Sequence, residues 1–333
     1  MGDVALSVPV IHRVLQQNQE VKITVLTRKS FQPLFQGLDV EFVFPDLYGK
    51  HKGVFGLFKL YKELRSLKNW HAIIDLHDVL RSKILRVFFQ LSGTPIYKID
   101  KGRTEKKNLT RQTDKRFSKL KHTTVRYADV FISAGLKTDL EKTVSIPTIP
   151  LPPEVESLIE SNQKPIIGIA PFAKHKEKMY PSSKMADVVV ALADKGYSVF
   201  IFGGGDQEKQ LADDFSKDKT TVTNLIGKYN LSDELAILSQ MDIVLSMDSA
   251  NMHMAALVET KVISVWGATH PFAGFTPFGQ SNEDQFIQIP AEELPCRPCS
   301  VFGNKPCHRG DFACMEWIEP DRIVSTIEQH IQT

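Results

Sequence analysis

Between residues 165 and 267, short apolar runs alternate with helical patterns, and this alternation restricts the fold more than any other feature of the chain. The runs are PIIGIA (165–170), SVFIFG (198–203), VTNLI (222–226), DIVLSM (242–247) and VISVWG (262–267). Helical stretches are expected around 182–195, 206–216, 232–239 and 249–258. Runs this short that are apolar at nearly every position suit strands buried on both faces. A helix between each pair of strands predicts a parallel, doubly wound sheet with right-handed crossovers. In such a sheet, ligands sit beyond the carboxyl ends of the strands, so the chemistry belongs to the loops after them.

The first half repeats the scheme less cleanly. KITVLT (22–27), VEFVFP (40–45) and AIIDL (72–76) read as strands, with helices near 4–18, 55–68 and 79–91. Pro9 is expected to kink the first helix. The stretch 145–165 carries five prolines and reads as a semi-rigid linker rather than a helix interior. It divides an α/β domain at 1–152 from a second at 153–333. A chain of 333 residues is long enough for two cores.

Composition sets limits on function. With 42% hydrophobic and 24% charged residues the chain reads as globular. No apolar run approaches the roughly 20 residues of a membrane span, and no signal peptide is visible, so the cytoplasm is the default expectation. Residues 1–150 hold 26 Lys and Arg against 14 Asp and Glu, whereas 151–333 hold 15 against 25. A basic half suits an anionic partner such as a phosphorylated lipid, a membrane face or nucleic acid; a solvated lysine-rich surface fits equally well. The basic half lacks interleaved aromatic stacking residues, which disfavours nucleic acid. Neither G-x-G-x-x-G nor a P-loop motif occurs, so dehydrogenase and NTPase readings lose their main support.

Four loops could carry chemistry. In MDSANMHMAAL (247–257), Asp248 ends a strand and Ser249 and Ala250 open a helix. Its free amides and dipole suit a phosphate or diphosphate, and His253 lies about one turn on. Ordinary N-caps and a satisfied core histidine are the competing reading. AKHKEKMYPSS (173–183) places Lys178 on a strand-to-helix loop as a phosphate counter-charge or as solvated surface. In FGGGDQEKQ (202–210), Glu208 is able to accept from a ribose or simply to favour its helix N-terminus. Cys296, Cys299, Cys307 and Cys314 have the ingredients of a small structural zinc knot without standard finger spacing; reduced thiols packing a loop is the alternative.

Taken together these loops resemble glycosyltransferase family nine, the heptosyltransferases of lipopolysaccharide core assembly. The matching stretches are GDVALSVPVI (2–11), DLHDVLRS (75–82), KMYP (178–181), GGGDQE (203–208), 224–257, WGATHP (266–271) and the cysteine-bearing 296–315. The resemblance implies a GT-B fold, two Rossmann-like domains facing across a cleft, with acceptor on the N-terminal side and nucleotide-sugar on the C-terminal side. It implies that the helix at about 320–331 crosses back to the first domain. It further implies inverting heptose transfer from ADP-heptose to a Kdo- or heptose-bearing lipid A acceptor, without a catalytic metal, peripherally at the inner face of the inner membrane. Asp3 matches the carboxylate proposed as general base. Lys178 matches the lysine that neutralises the departing diphosphate, aided by the amides of Ser249 and Ala250. Glu208 matches a ribose-binding acid, and Asp248 and His253 match donor-pocket positions. Arg81, Lys83, Lys106 and Lys107 are acceptor candidates on charge grounds.

The chain departs from the family pattern in three places. Ala250 replaces the glycine of D-[ST]-G-x-x-H, which leaves room for a different nucleotide-sugar. Tyr180 replaces a tryptophan. Relatives carry a strand before the Gly-Asp pair that this chain does not show, so a start assigned too late or a truncated chain is expected. A GT-B protein that holds nucleotide-sugar or lipid A without turnover is the non-enzymatic alternative.

Overall fold

In chain order the elements of the computed structural model are α1 (Gly2–Gln17), β1 (Ile23–Leu26), β2 (Val40–Val43), α2 (Gly53–Leu67), β3 (Ile73–Asp75), α3 (Leu80–Leu91) and β4 (Ile96–Lys98). There follow α4 (Arg103–Leu109), α5 (Thr123–Ser133), α6 (Pro153–Glu160), β5 (Ile166–Ala170), α7 (Ser182–Asp194), β6 (Ser198–Ile201), α8 (Asp206–Ser216) and β7 (Val222–Asn224). The chain closes with α9 (Leu231–Leu238), β8 (Ile243–Met247), α10 (Ala250–Leu257), β9 (Val262–Val265), β10 (Phe286–Ile287), α11 (Ala313–Glu316) and α12 (Pro320–Ile331). The structure describes residues 1–140, 150–162, 164–217, 219–280 and 282–332.

The chain divides into two compact units that are not its two halves. The sheet unit comprises Met1–Ala5, Gly102–His122 and the described part of 148–333; the paired-strand unit comprises Leu6–Lys101 and the described part of 123–147. A single boundary at 152/153 therefore does not describe the packing. Within the sheet unit, the 102–122 segment is held by polar bonds: Leu120 N–H donates to Phe272 O at 2.9 Å, and His122 Nε2 lies 3.0 Å from Thr276 O.

The sheet unit is built on six parallel strands in the order β10-β9-β8-β5-β6-β7. Strands β5, β6, β8 and β9 are buried at every position, as continuous apolar runs require. Strand order reverses between β5 and β8, where Ala170 pairs in register with Ser246. That reversal sets the loops after these two strands side by side, the usual place for a ligand crevice. Helix α12 packs on α7, and its Ile323, Val324 and Ile327 join the core of this sheet. Of the proline-rich stretch, 145–149 and 163 lie outside the described residues, and 150–162 correct the linker reading. PEVESLIE folds as α6, with its proline in the first turn, where no amide donor is missed, and with Val155 and Ile159 buried.

In the paired-strand unit the strands form two separate two-stranded parallel ladders, β1–β2 and β3–β4. Its core is Leu57, Leu60 and Leu64 of α2 against Leu85 and Phe89 of α3. Helix α1 runs through Pro9 without a break, its Leu6, Val8, Val10, Ile11 and Val14 all buried. Burial of that face outweighs the one lost backbone bond.

Candidate functional site

The loop after β5 ends in a 3₁₀ turn, Lys176–Lys178, and the loop after β8 is Asp248-Ser249. The strand reversal brings them together: Lys178 Nζ lies 3.0 Å from Asp248 Oδ2, with both side chains largely buried. Ser249 is the N-cap of α10 in extended geometry, but its hydroxyl makes no capping hydrogen bond. Instead it sits 3.3 Å from the Ser246 hydroxyl. The helix N-terminus thus has an ammonium–carboxylate pair beside it and no side-chain cap over it. Ala250 occupies the first helical position.

His253, one turn into α10, is buried, and its Nδ1 has no hydrogen-bond partner. Burial, then the His122 and Lys178 charges, pull its pKa down to about 3, with Asp3 opposing. The imidazole is therefore neutral near pH 7. The start of α1 lies against this ring: a Cβ on Gly2 would stand 3.0 Å from His253 Cδ2 and 3.7 Å from Ala250 Cα. Asp3 follows in the first turn of α1 and belongs to the same unit as Lys178, Asp248 and His253.

Glu208 is in the first turn of α8, where its Oε2 accepts from Gly204 N at 2.8 Å. Gly203 is required by close packing, since a Cβ there would approach Phe172, Ile226 and the Glu208 carboxylate to within 3 Å. Tyr180 is not a site-facing aromatic. It is buried in the core and donates to Ile318 O at 2.7 Å, and burial raises its pKa.

The four acceptor candidates fall in different units. Arg81 is exposed at the start of α3, and Lys83 lies 3.9 Å from Asp78. The DLHDVLRS turn around them is organised by Asp75, which accepts from His77 N and Asp78 N at 2.9 and 2.8 Å. Arg86 closes the turn, 3.3 Å from Asp75 and 3.0 Å from Asp78. Lys106 and Lys107 lie in α4 of the sheet unit. Lys107 is exposed, whereas Lys106 is buried with Nζ 4.4 Å over the Phe275 ring. Next to them an open cavity of about 290 Å³ is lined by Glu105, Asn108, Arg116, Ser118, Lys119, Leu120 and Lys121.

The four thiols are free, and they line one small cavity with Arg297 and Arg309. Among the described residues, no three His, Cys, Asp or Glu side chains come together in a way that would hold a metal ion. Burial raises the pKa of Cys296, Cys299 and Cys314, the last to about 12. These thiols are protonated, packed groups.

Three residues of this region went unnoticed in the sequence. Arg297, fully buried, donates to the carbonyls of Trp266, Gly267, Thr269 and Ile289 and to Gln288 Oε1. It thereby fixes the WGATHP loop, and burial lowers its pKa to about 10. Lys115 Nζ sits among four successive carbonyls, Pro295 to Pro298, at 2.8 to 3.2 Å. Gly303, at φ +72°, presses on the stem of Lys178; a Cβ there would stand 2.3 Å from Lys178 Cγ. The only trace of Gly303 in the sequence is a glycine in a cysteine-rich loop, and a buried arginine among cysteines carries no pattern at all.

The profile of glycosyltransferase family 9 (heptosyltransferase) matches residues 57–304. Lipooligosaccharide heptosyltransferase 2 of Campylobacter jejuni (strain 81116) is 24% identical over 177 residues, 52% of this chain and 53% of that protein. Lipopolysaccharide heptosyltransferase 3 of Escherichia coli is 31% identical over 135 residues, 39% of each. The matched stretches thus span about half the length, or less, of these curated relatives. Among solved structures, a family 9 glycosyl transferase from Veillonella parvula superposes with TM-score 0.74 at 16% identity, covering 99% of this chain and 94% of that one. E. coli ADP-heptose LPS heptosyltransferase II gives 0.68 at 17%, covering 99% and 96%. At such identities the structural likeness establishes the shared GT-B glycosyltransferase fold. The profile covers well over half of the sequence, and the chain belongs to glycosyltransferase family 9.

Proposed function

We propose that the chain is an inverting glycosyltransferase that moves heptose from ADP-heptose to the core of a lipopolysaccharide acceptor bearing Kdo or heptose on lipid A. The observation that carries this is the Lys178–Asp248 pair at the uncapped start of α10, beside the orphaned Nδ1 of His253. A helix N-terminus with a neighbouring ammonium suits a diphosphate, and a neutral imidazole nitrogen without a partner suits a donor hydroxyl or phosphate oxygen. In this reading Asp3 takes the proton of the acceptor hydroxyl as its oxygen bonds to the anomeric carbon. The bond from that carbon to the diphosphate breaks on the opposite face, and ADP leaves against Lys178 and the amides of Ser249 and Ala250. Glu208 receives the ribose. Arg81, Lys83, Lys106 and Lys107 are the candidate contacts for the acceptor's anionic groups, on charge grounds. No metal takes part in the transfer. Work of this kind belongs at the cytoplasmic face of the inner membrane, with the protein peripherally attached. No helix among the described residues is long and apolar enough to cross a membrane.

A thermal-shift panel of ADP-, UDP- and GDP-sugars tests the donor. Stabilisation by ADP-sugars that disappears in Lys178→Ala is expected; a shift with UDP- or GDP-sugars alone overturns the adenine assignment. Ala250, standing where glycine is usual, is the specific reason to include the other nucleotides. Asp3→Ala separates an enzyme from a binding protein: lost transfer with donor binding retained supports the enzyme, and absence of transfer in both forms supports the binder.

A further inference from the structure

Helices α2 and α3 bury one side against each other and leave the other uncovered. The uncovered side is apolar where a surface helix is ordinarily polar. Phe55 is 91% exposed, Phe58 40%, Val87 51% and Leu91 81%. The two helices meet there through Phe58 and Phe88, whose rings touch edge-on at 5.2 Å. Val87 and Leu91 stand one turn apart on α3, the same helix as Phe88.

The charges around this surface have one sign. Helices α2 and α3 together contain six Lys and Arg and a single acid, Glu63. That acid is already engaged by Lys50 and His51. Lys59 and Lys62 are exposed between the aromatic residues, an interleaving of charge and ring that the sequence reading had not found in this half, and Lys62 Nζ stands 4.9 Å over the Phe58 ring. Long cationic stems interleaved with protruding phenyl and leucyl groups are the composition of a surface that enters the headgroup layer of an anionic bilayer. Pairing with a second copy would set like charges face to face, which opposes self-association through this patch.

We propose that the exposed face of α2 and α3, with Phe55, Phe58, Val87 and Leu91 as inserting groups and Lys59 and Lys62 as headgroup contacts, docks the protein on membranes carrying anionic lipid. This deepens the membrane-attachment part of the function proposed above and names the surface that performs it. The phospholipid vesicles used to test it contain no sugar acceptor, so failure here leaves the transfer reading untouched.

The test is cosedimentation of the full chain with mixed phosphatidylcholine–phosphatidylglycerol vesicles and with phosphatidylcholine alone. Binding to the mixed vesicles that falls with added salt is expected. Phe55→Ser should weaken it about tenfold through lost apolar insertion. Lys59→Gln with Lys62→Gln should weaken it roughly twentyfold. Arg322→Gln, on α12 of the other unit, should leave it unchanged. All four positions are exposed, so far-ultraviolet circular dichroism should match the parent. As a second measurement, Phe55→Trp fluorescence should be quenched by lipids brominated in the upper acyl chain. Equal binding to neutral vesicles, unimpaired binding by the Phe55 and double-lysine variants, or no quenching would each overturn the proposal. So would concentration-dependent dimerisation that Phe55→Ser abolishes, or preferential retention on DNA.

Discussion

The two units use the same parts, parallel strands and crossover helices, but bury them to different depths. In the sheet unit none of the six strands has an exposed residue, and five are buried at every position. In the paired-strand unit only Asp75, among all four strands, is buried. The difference is one of neighbours. The four inner strands of the six-stranded sheet have ladder partners on both sides, whereas each member of a two-stranded ladder keeps one edge open. Fixed geometry for chemistry is accordingly found in the sheet unit, where Lys178 and Asp248 sit on loops anchored by the two central strands. The paired-strand unit supplies surface instead: charge, protruding apolar groups and an ordered turn around Asp75.

Experiments can sharpen or break that contrast. The largest effect is expected at the buried guanidinium. Arg297→Leu should destabilise the protein by about 3–5 kcal/mol in chemical denaturation, because several buried carbonyls lose their donor at once. The comparison in the other unit, Arg86→Leu, should cost about 2 kcal/mol, since Asp75 keeps its two amide donors. Equal losses would remove the distinction. For the transfer proposed above, Lys178→Ala should lower the rate on the order of a hundredfold or more, whereas Lys83→Ala should change it severalfold at most. Steady-state kinetics with ADP-heptose decide between these outcomes.

Acidification should act on the sheet unit first. His253 and His270, both with pKa lowered to about 3 chiefly by burial, stay neutral in the folded state and gain a proton only on unfolding. Their stabilisation is complete above the unfolded value near 6.5 and is lost progressively as pH falls towards 3. At pH 5 each accounts for about 2 kcal/mol of lost stability relative to neutral pH. Denaturation midpoints should therefore fall on acidification, and His270→Asn should flatten the profile; an unchanged slope would contradict the assignment. The smallest effect concerns breathing: amides of β1 and β3 should exchange with solvent at least about tenfold faster than those of β5 and β8. Equal protection would mean that the open ladders are as firmly held as the sheet.

How much of this could be read from the sequence follows the same division. Each apolar run of the second half became a strand within a residue or two, because a strand buried on both faces must be apolar throughout. Strand β10, of two residues, is too short to leave a pattern, and β4, the three residues Ile96–Lys98, lacks the apolar run that marked the equally short β3 and β7. Helix α6 was hidden behind its prolines, which sit before or at its first turn rather than inside it. Lys178, Asp248 and His253 stood out because they lie on or just beyond the loops that join strands to helices. Arg297 and Lys115 did not, because their partners are backbone carbonyls, which have no letter in a sequence. For the same reason nothing in residues 102–122 signalled that this segment packs with the C-terminal sheet.

The ammonium of Lys115, seated among the carbonyl oxygens of residues 295–298, has a consequence of its own. Four converging peptide oxygens are what a dehydrated alkali ion would seek, and here the occupant is tethered to the chain. It cannot be diluted away or exchanged for sodium or potassium. The bend that carries Arg297 thus draws its cation from the chain itself, from a stretch of polypeptide some 180 positions upstream that must first arrive in its berth.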